Sequence, residues 1–74
     1  MEELIWNNTP DLLRTLESFS ADGAVIVLKM DGERGVDRFT LSISKGKLGD
    51  DFIRMDGSNV ELLLRSGISD YHAS

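Results

Sequence analysis

The sequence contains no cysteine, which excludes a disulfide framework and thiolate metal ligands. It has one histidine, His72, close to its C-terminal end. Asp70 is the nearest oxygen ligand, so neither a histidine metal site nor a nucleophile–base pair is expected there. No apolar run approaches the roughly 18 residues that a membrane span requires. The opening stretch MEELIWNN is acidic and lacks the basic region of a signal peptide,. No membrane association and a cytoplasmic location are therefore the expectation. Bases are also few, 8 against 13 acids for a net charge of −5. Over most of the surface that balance repels phosphates, and direct nucleic-acid binding is not expected. It is compatible with a basic protein partner.

Several motif classes are missing as well. The phosphate-binding pattern G-x-x-x-x-G-K-[ST] is absent. Gly46-Lys47-Leu48-Gly49 has the G-x-x-G outline of a nucleic-acid clamp, but Asp50-Asp51 follows it and would repel phosphate. Asp31, Glu33 and Asp37 have the flavour of a calcium loop. Arg34 interrupts them and no glutamate closes the loop at the required distance. Asp50 and Asp51 are adjacent, and neighbours on a strand point to opposite faces, so they make a poor acid–base pair. No cofactor, metal site or catalytic set follows from the sequence.

What remains is a globular composition, 41% apolar and 28% charged, in 74 residues. That is enough for one small core and one domain spanning 1–74. Thr9-Pro10-Asp11 signals a helix start, with threonine as cap, proline at the first helical position and an acid at the positive end of the dipole. Leu12, Leu13, Leu16 and Phe19 follow at helical spacing, and Ser20-Ala21-Asp22-Gly23 ends the run. Ala24–Met30 (AVIVLKM) is apolar at alternate and intervening positions alike, which predicts a strand covered on both sides or paired on both edges. Val36–Ser44 alternates Phe39, Leu41 and Ile43 with polar residues, a strand with one buried face. Asp51–Met55 predicts a third strand. Ser58 and Glu61 then form a capping box for a helix carrying Val60, Leu63 and Leu64, with Gly67 as its left-handed stop. Residues 3–6 (ELIW) are read as a fourth strand beside AVIVLKM or as an extra helical turn. Trp6 within them is expected to cover the core or an edge.

The densely charged KMDGERGVDRF stretch lies between the first two strands. A four-residue loop, Gly32–Gly35, sets Leu28 opposite Phe39, Ile26 opposite Leu41 and Ala24 opposite Ile43, three apolar pairs on one face. A five-residue loop pairing Val27 with Phe39 is the alternative. The four-residue loop carries Glu33 and Arg34 beyond the sheet into solvent.

The expected architecture is α+β, a small antiparallel sheet of three to four strands with two helices packed on one face. The expected function is that of a small acidic protein-binding protein, not an enzyme, that covers a site on a larger partner. Inhibitors, immunity proteins and phage anti-defence proteins such as anti-CRISPRs act in this way. Glu33, Arg34, Asp37, Asp50 and Asp51 are the candidate contact residues, on a monomer or homodimer. The alternative is a subunit of an oligomeric enzyme or ligand-binding protein whose site forms only on assembly.

Overall fold

A computed structural model describes residues 9–74, in the order helix, three strands, helix. Helix α1 spans Thr9–Ala21, so Thr9 lies inside the helix and Asp11 falls in its first turn. Leu12, Leu16 and Phe19, spaced four and three residues apart, form its buried stripe,. Leu13, the fourth member of the expected stripe, points outward at 47% exposure.

Strands β1 (Ala24–Met30), β2 (Phe39–Lys45) and β3 (Phe52–Gly57) form an antiparallel sheet in the order β1-β2-β3. Helix α2 (Val60–Ala73) lies on the same face of the sheet as α1. This is the expected α+β architecture. The proposed fourth strand at residues 3–6 lies outside the described residues, as does Trp6.

The register differs from expectation by two residues. Met30 pairs with Phe39, Leu28 with Leu41 and Ile26 with Ile43, so the connection is Asp31–Arg38 and not Gly32–Gly35. A shift of two residues leaves every side chain on its original face, so the burial pattern cannot tell the two registers apart. The adopted one stacks Ile26–Ile43–Ile53 and Leu28–Leu41–Met55 across all three strands. Val36 is excluded from β2 and is 74% exposed. Among the described residues, the expected covering of both sides of β1 is not found, and its alternative, pairing on both edges, turns on residues outside the described ones. Ala24, Ile26 and Leu28 turn inward, whereas Val25 and Val27 are half-exposed on the face opposite the helices.

Leu41, Ile43 and Leu64 are fully buried at the centre of the core. Two contributions to that core were not anticipated. The β2–β3 connection contains a 3-10 turn, Gly46–Leu48, that buries Leu48. Gly46 has φ 58, and a Cβ there would lie 2.9 Å from the Tyr71 hydroxyl and 3.0 Å from the Ala24 nitrogen. Only glycine fits a left-handed backbone pressed this closely against its neighbours. Tyr71 is the second contribution. Its ring stacks on Phe19 with centroids 4.2 Å apart and lies under the Lys47 ammonium at 4.7 Å.

Tyr71 reaches the core because α2 does not stop at Gly67. It runs through Gly67 to Ala73, and a Cβ on Gly67 would lie 2.3 Å from Leu41 Cδ2. The glycine is a seat for Leu41, not a helix stop. His72 consequently belongs to the last turn of α2, edge-on to Phe19 at 5.5 Å, and is not a tail residue.

The start of α2 also differs. Asn59, not Ser58, is the cap, and its side chain accepts a hydrogen bond from the Leu62 N–H at 3.0 Å. Glu61 pairs instead with Arg65, one turn on, at 3.0 Å. Asn59→Ala is expected to lower stability by about 1 kcal/mol, the usual value of a lost N-cap. Ser58→Ala should leave α2 intact. Amide exchange at Leu62, whose N–H the cap holds, checks this beside denaturant melts: faster exchange is expected in Asn59→Ala only, and faster exchange in Ser58→Ala alone would restore Ser58 as the cap.

Candidate functional site

The face opposite the helices is built of three cross-strand rows. Val25, Ser44 and Phe52 form one, Val27, Ser42 and Arg54 the second, and Lys29, Thr40 and Asp56 the third. They follow from the period of two along each strand. Val25, Val27 and Phe52 are 50%, 52% and 68% exposed, so one half of this outer face sets an apolar patch in water around the β2 serines Ser42 and Ser44. Isolated exposed apolar side chains are ordinary on protein surfaces, whereas several on one sheet face make that face a candidate contact surface.

The other half is a charged network centred on Asp56. Its carboxylate accepts a hydrogen bond from the Thr40 hydroxyl. It also lies 3.7 Å from both the Arg34 and Arg54 guanidinium groups. Thr40 is the buried polar residue of the sheet, and its partner is this carboxylate. The Thr40 hydrogen bond first, then the charges of Arg54 and Arg34, hold Asp56 below the usual carboxylate range against the opposing pull of desolvation,. A lowered folded pKa contributes stability that is present above the unfolded value, about 3.9, and is lost as pH falls through the folded one. Acid titration of the melting temperature should therefore show a drop that Asp56→Asn flattens. Superimposable profiles would remove Asp56 from the acid response.

Arg34 is thus not carried into solvent. Its guanidinium also donates to the Asp37 carbonyl, folding the Asp31–Arg38 loop back over the sheet. Asp37 adopts φ 49, a left-handed conformation that aspartate tolerates better than most residues,. Two hydrogen bonds hold it there. The Asp37 N–H donates to Ser58 Oγ, and the Ser58 hydroxyl donates to Asp37 Oδ1, both at 3.1 Å. Ser58 therefore ties down the loop instead of capping α2. Asp31 shapes the other half, accepting the Glu33 N–H on its side chain at 3.0 Å.

The five candidate contact residues divide into two groups. Glu33, Arg34 and Asp37 lie at the end of the sheet where Met30 pairs with Phe39. Asp50 and Asp51, both exposed, precede β3 at the opposite end. Seven-residue strands separate the groups by roughly 20 Å. They do not form one site, but they frame the outer face at its two ends. Sequence reasoning missed Val25, Val27 and Phe52 as surface residues. The alternation of Phe52, Arg54 and Asp56 along β3 was the available signal.

Among the described residues no group of three or more His, Cys, Asp or Glu could hold a metal ion. No helix among them is long and apolar enough to cross a membrane. Comparison with protein-family models, curated proteins and solved structures finds no match to this chain.

Proposed function

We propose that this chain is a non-catalytic binding protein that covers a site on a larger protein partner through its outer sheet face. The observation that carries this reading is the patch of Val25, Val27 and Phe52, each at least half exposed. The net charge of −5 disfavours nucleic acid as the occupant. Charge complementarity gives the partner its chemistry. Acids stand at both ends of the face, Asp50 and Asp51 beside the patch and Glu33 and Asp37 beyond the charged half, while the cations on the face are matched internally by Asp56 and Asp31. The fitting surface is an apolar centre flanked by lysine or arginine. Inhibitors, immunity proteins and phage anti-defence proteins act through contacts of this kind.

The test is affinity capture on the immobilised full chain from the cells that make it, followed by binding measurements with the recovered protein. Val27→Lys combined with Phe52→Lys places charge in the centre of the patch without touching the core. It is expected to abolish stoichiometric binding while the melting temperature stays near that of the parent. Reversing Asp50 and Asp51 to lysine should slow association and reverse its salt dependence. Equal binding by the patch variant, or turnover of a small molecule by the chain, would overturn the proposal.

A further inference from the structure

The second exposed feature of the sheet is an edge. Among the described residues β3 pairs only with β2, and an edge strand directs half its backbone N–H and C=O groups away from its neighbour. Beneath this edge, between β3 and the first turns of α2, runs a groove of about 530 Å³ whose walls include Met55, Gly57, Leu62 and Leu63. Leu62 is 62% exposed beside it.

We infer that this edge pairs with the same edge of a second copy, β3 against β3 in antiparallel register about a two-fold axis at Met55. Charge complementarity selects that register. Side chains of directly opposite residues share a face, so an antiparallel pair can centre on Arg54, Met55 or Asp56 within the charged part of β3. Centring on Arg54 opposes two guanidinium groups, and centring on Asp56 opposes two carboxylates. Centring on Met55 sets Arg54 of each copy opposite Asp56 of the other, twice. Opposite charges in directly facing positions stabilise a strand pair, and like charges destabilise it. On the inner face the same register sets Ile53 opposite Gly57 and Met55 opposite Met55. An antiparallel neighbour in one sheet is related by an axis perpendicular to it, so both α2 helices lie on the same side. The two grooves then face each other, and Leu62 of each copy lies over the junction. The contact is isologous and closes at two copies. Strand β1 offers no equivalent, because its outward residues Val25, Val27 and Lys29 contain no opposite pair.

The β3 edge borders the outer face, to which Arg54 and Asp56 belong, but the variants below leave Val25, Val27 and Phe52 in place, so loss of the dimer and loss of partner binding are read separately. Sedimentation equilibrium of the full chain is expected to give twice the 8.2 kDa chain mass. Arg54→Asp alone and Asp56→Arg alone each bring like charges together and should give single chains. Mixing the two variants in equal amounts restores opposite charges at both positions and should give a heterodimer. Met55→Cys provides a second readout in a chain without cysteine. Residues facing one another across an antiparallel pair have Cα atoms about 4.5–5.5 Å apart, within disulfide range. Met55→Cys should therefore oxidise to a covalent dimer, whereas Ile53→Cys should not. A single-chain mass at every concentration up to the solubility limit would overturn the inference. So would a dimer in which Ile53→Cys cross-links as readily as Met55→Cys.

Discussion

Replacing Leu41 by alanine is expected to destabilise the protein by about 2–5 kcal/mol, the range for a large aliphatic residue removed from a packed core. Leu41 is fully buried and occupies the middle strand. It pairs with Leu28 on one side and Met55 on the other, and its side chain reaches the backbone of α2 at Gly67. Strands on both sides and a helix above leave little freedom to collapse into the vacated volume, which favours the upper part of the range. Small domains hold only about 5–15 kcal/mol in total, so a large share of the variant population should be unfolded at ambient temperature. A domain of this size shifts its melting point by about 4–8 °C per kcal/mol. A variant melting within a degree of the parent would mean that Leu41 is not the centre of the core.

The second large effect is expected at Gly67, where two principles oppose each other. Alanine is favoured over glycine inside a helix by about 1 kcal/mol, so Gly67→Ala would be stabilising if position 67 were an ordinary helical site. The added Cβ, however, would lie 2.3 Å from Leu41 Cδ2, 3.5 Å from Leu41 Cγ and 3.6 Å from Ile43 Cδ1. Both neighbours are at 0% exposure, so neither can swing aside without displacing other core atoms. Overpacking of this kind costs about 1–3 kcal/mol, which outweighs the propensity gain. The expected net result is destabilisation, larger still for Gly67→Val. The cause can be isolated by a double-mutant cycle. With Leu41→Ala already present the obstructing methyl is gone, and Gly67→Ala should become neutral or stabilising. Destabilisation of equal size in both backgrounds would rule out the Leu41 contact as its source.

Leu41 and Gly67 also show where sequence reasoning succeeds and where it stops. The alternation of Phe39, Leu41 and Ile43 with polar residues has a period of two, and it identified the buried face of β2 correctly. The same period is blind to a shift of two residues, so the β1–β2 register was misplaced. What fixes that register lies far away in sequence, in the Asp37–Ser58 hydrogen bonds and the reach of Arg34 to Asp56. Gly67 carried a local signal for a helix stop, but its use is tertiary: it admits Leu41. Ser58 and Glu61 matched a capping box, yet Asn59 takes the cap while Ser58 holds a loop 21 residues away. In each case the local motif was present and a long-range contact claimed the residue.

The candidate surface was less legible for a related reason. Charged loops stand out in a sequence, and Glu33, Arg34, Asp37, Asp50 and Asp51 are its candidates for that reason. The apolar side chains on the face they frame are valines and a phenylalanine from β1 and β3, brought to one side of the sheet by strand order and register. Val25 and Val27 looked like buried residues of a strand covered on both sides. They are half-exposed because both helices pack on the other face.

The most direct test of the outer face as the working surface is an amide chemical-shift titration of the isotope-labelled full chain with its captured partner. Changes are expected at Val25, Val27, Ser42, Ser44 and Phe52, extending to Glu33 at one end and Asp51 at the other. Leu16, Leu64 and Tyr71, buried between the helices and the sheet, should remain unmoved. Changes concentrated on α1 and α2, with Val27 and Phe52 unaffected, would contradict the assignment of binding to this face.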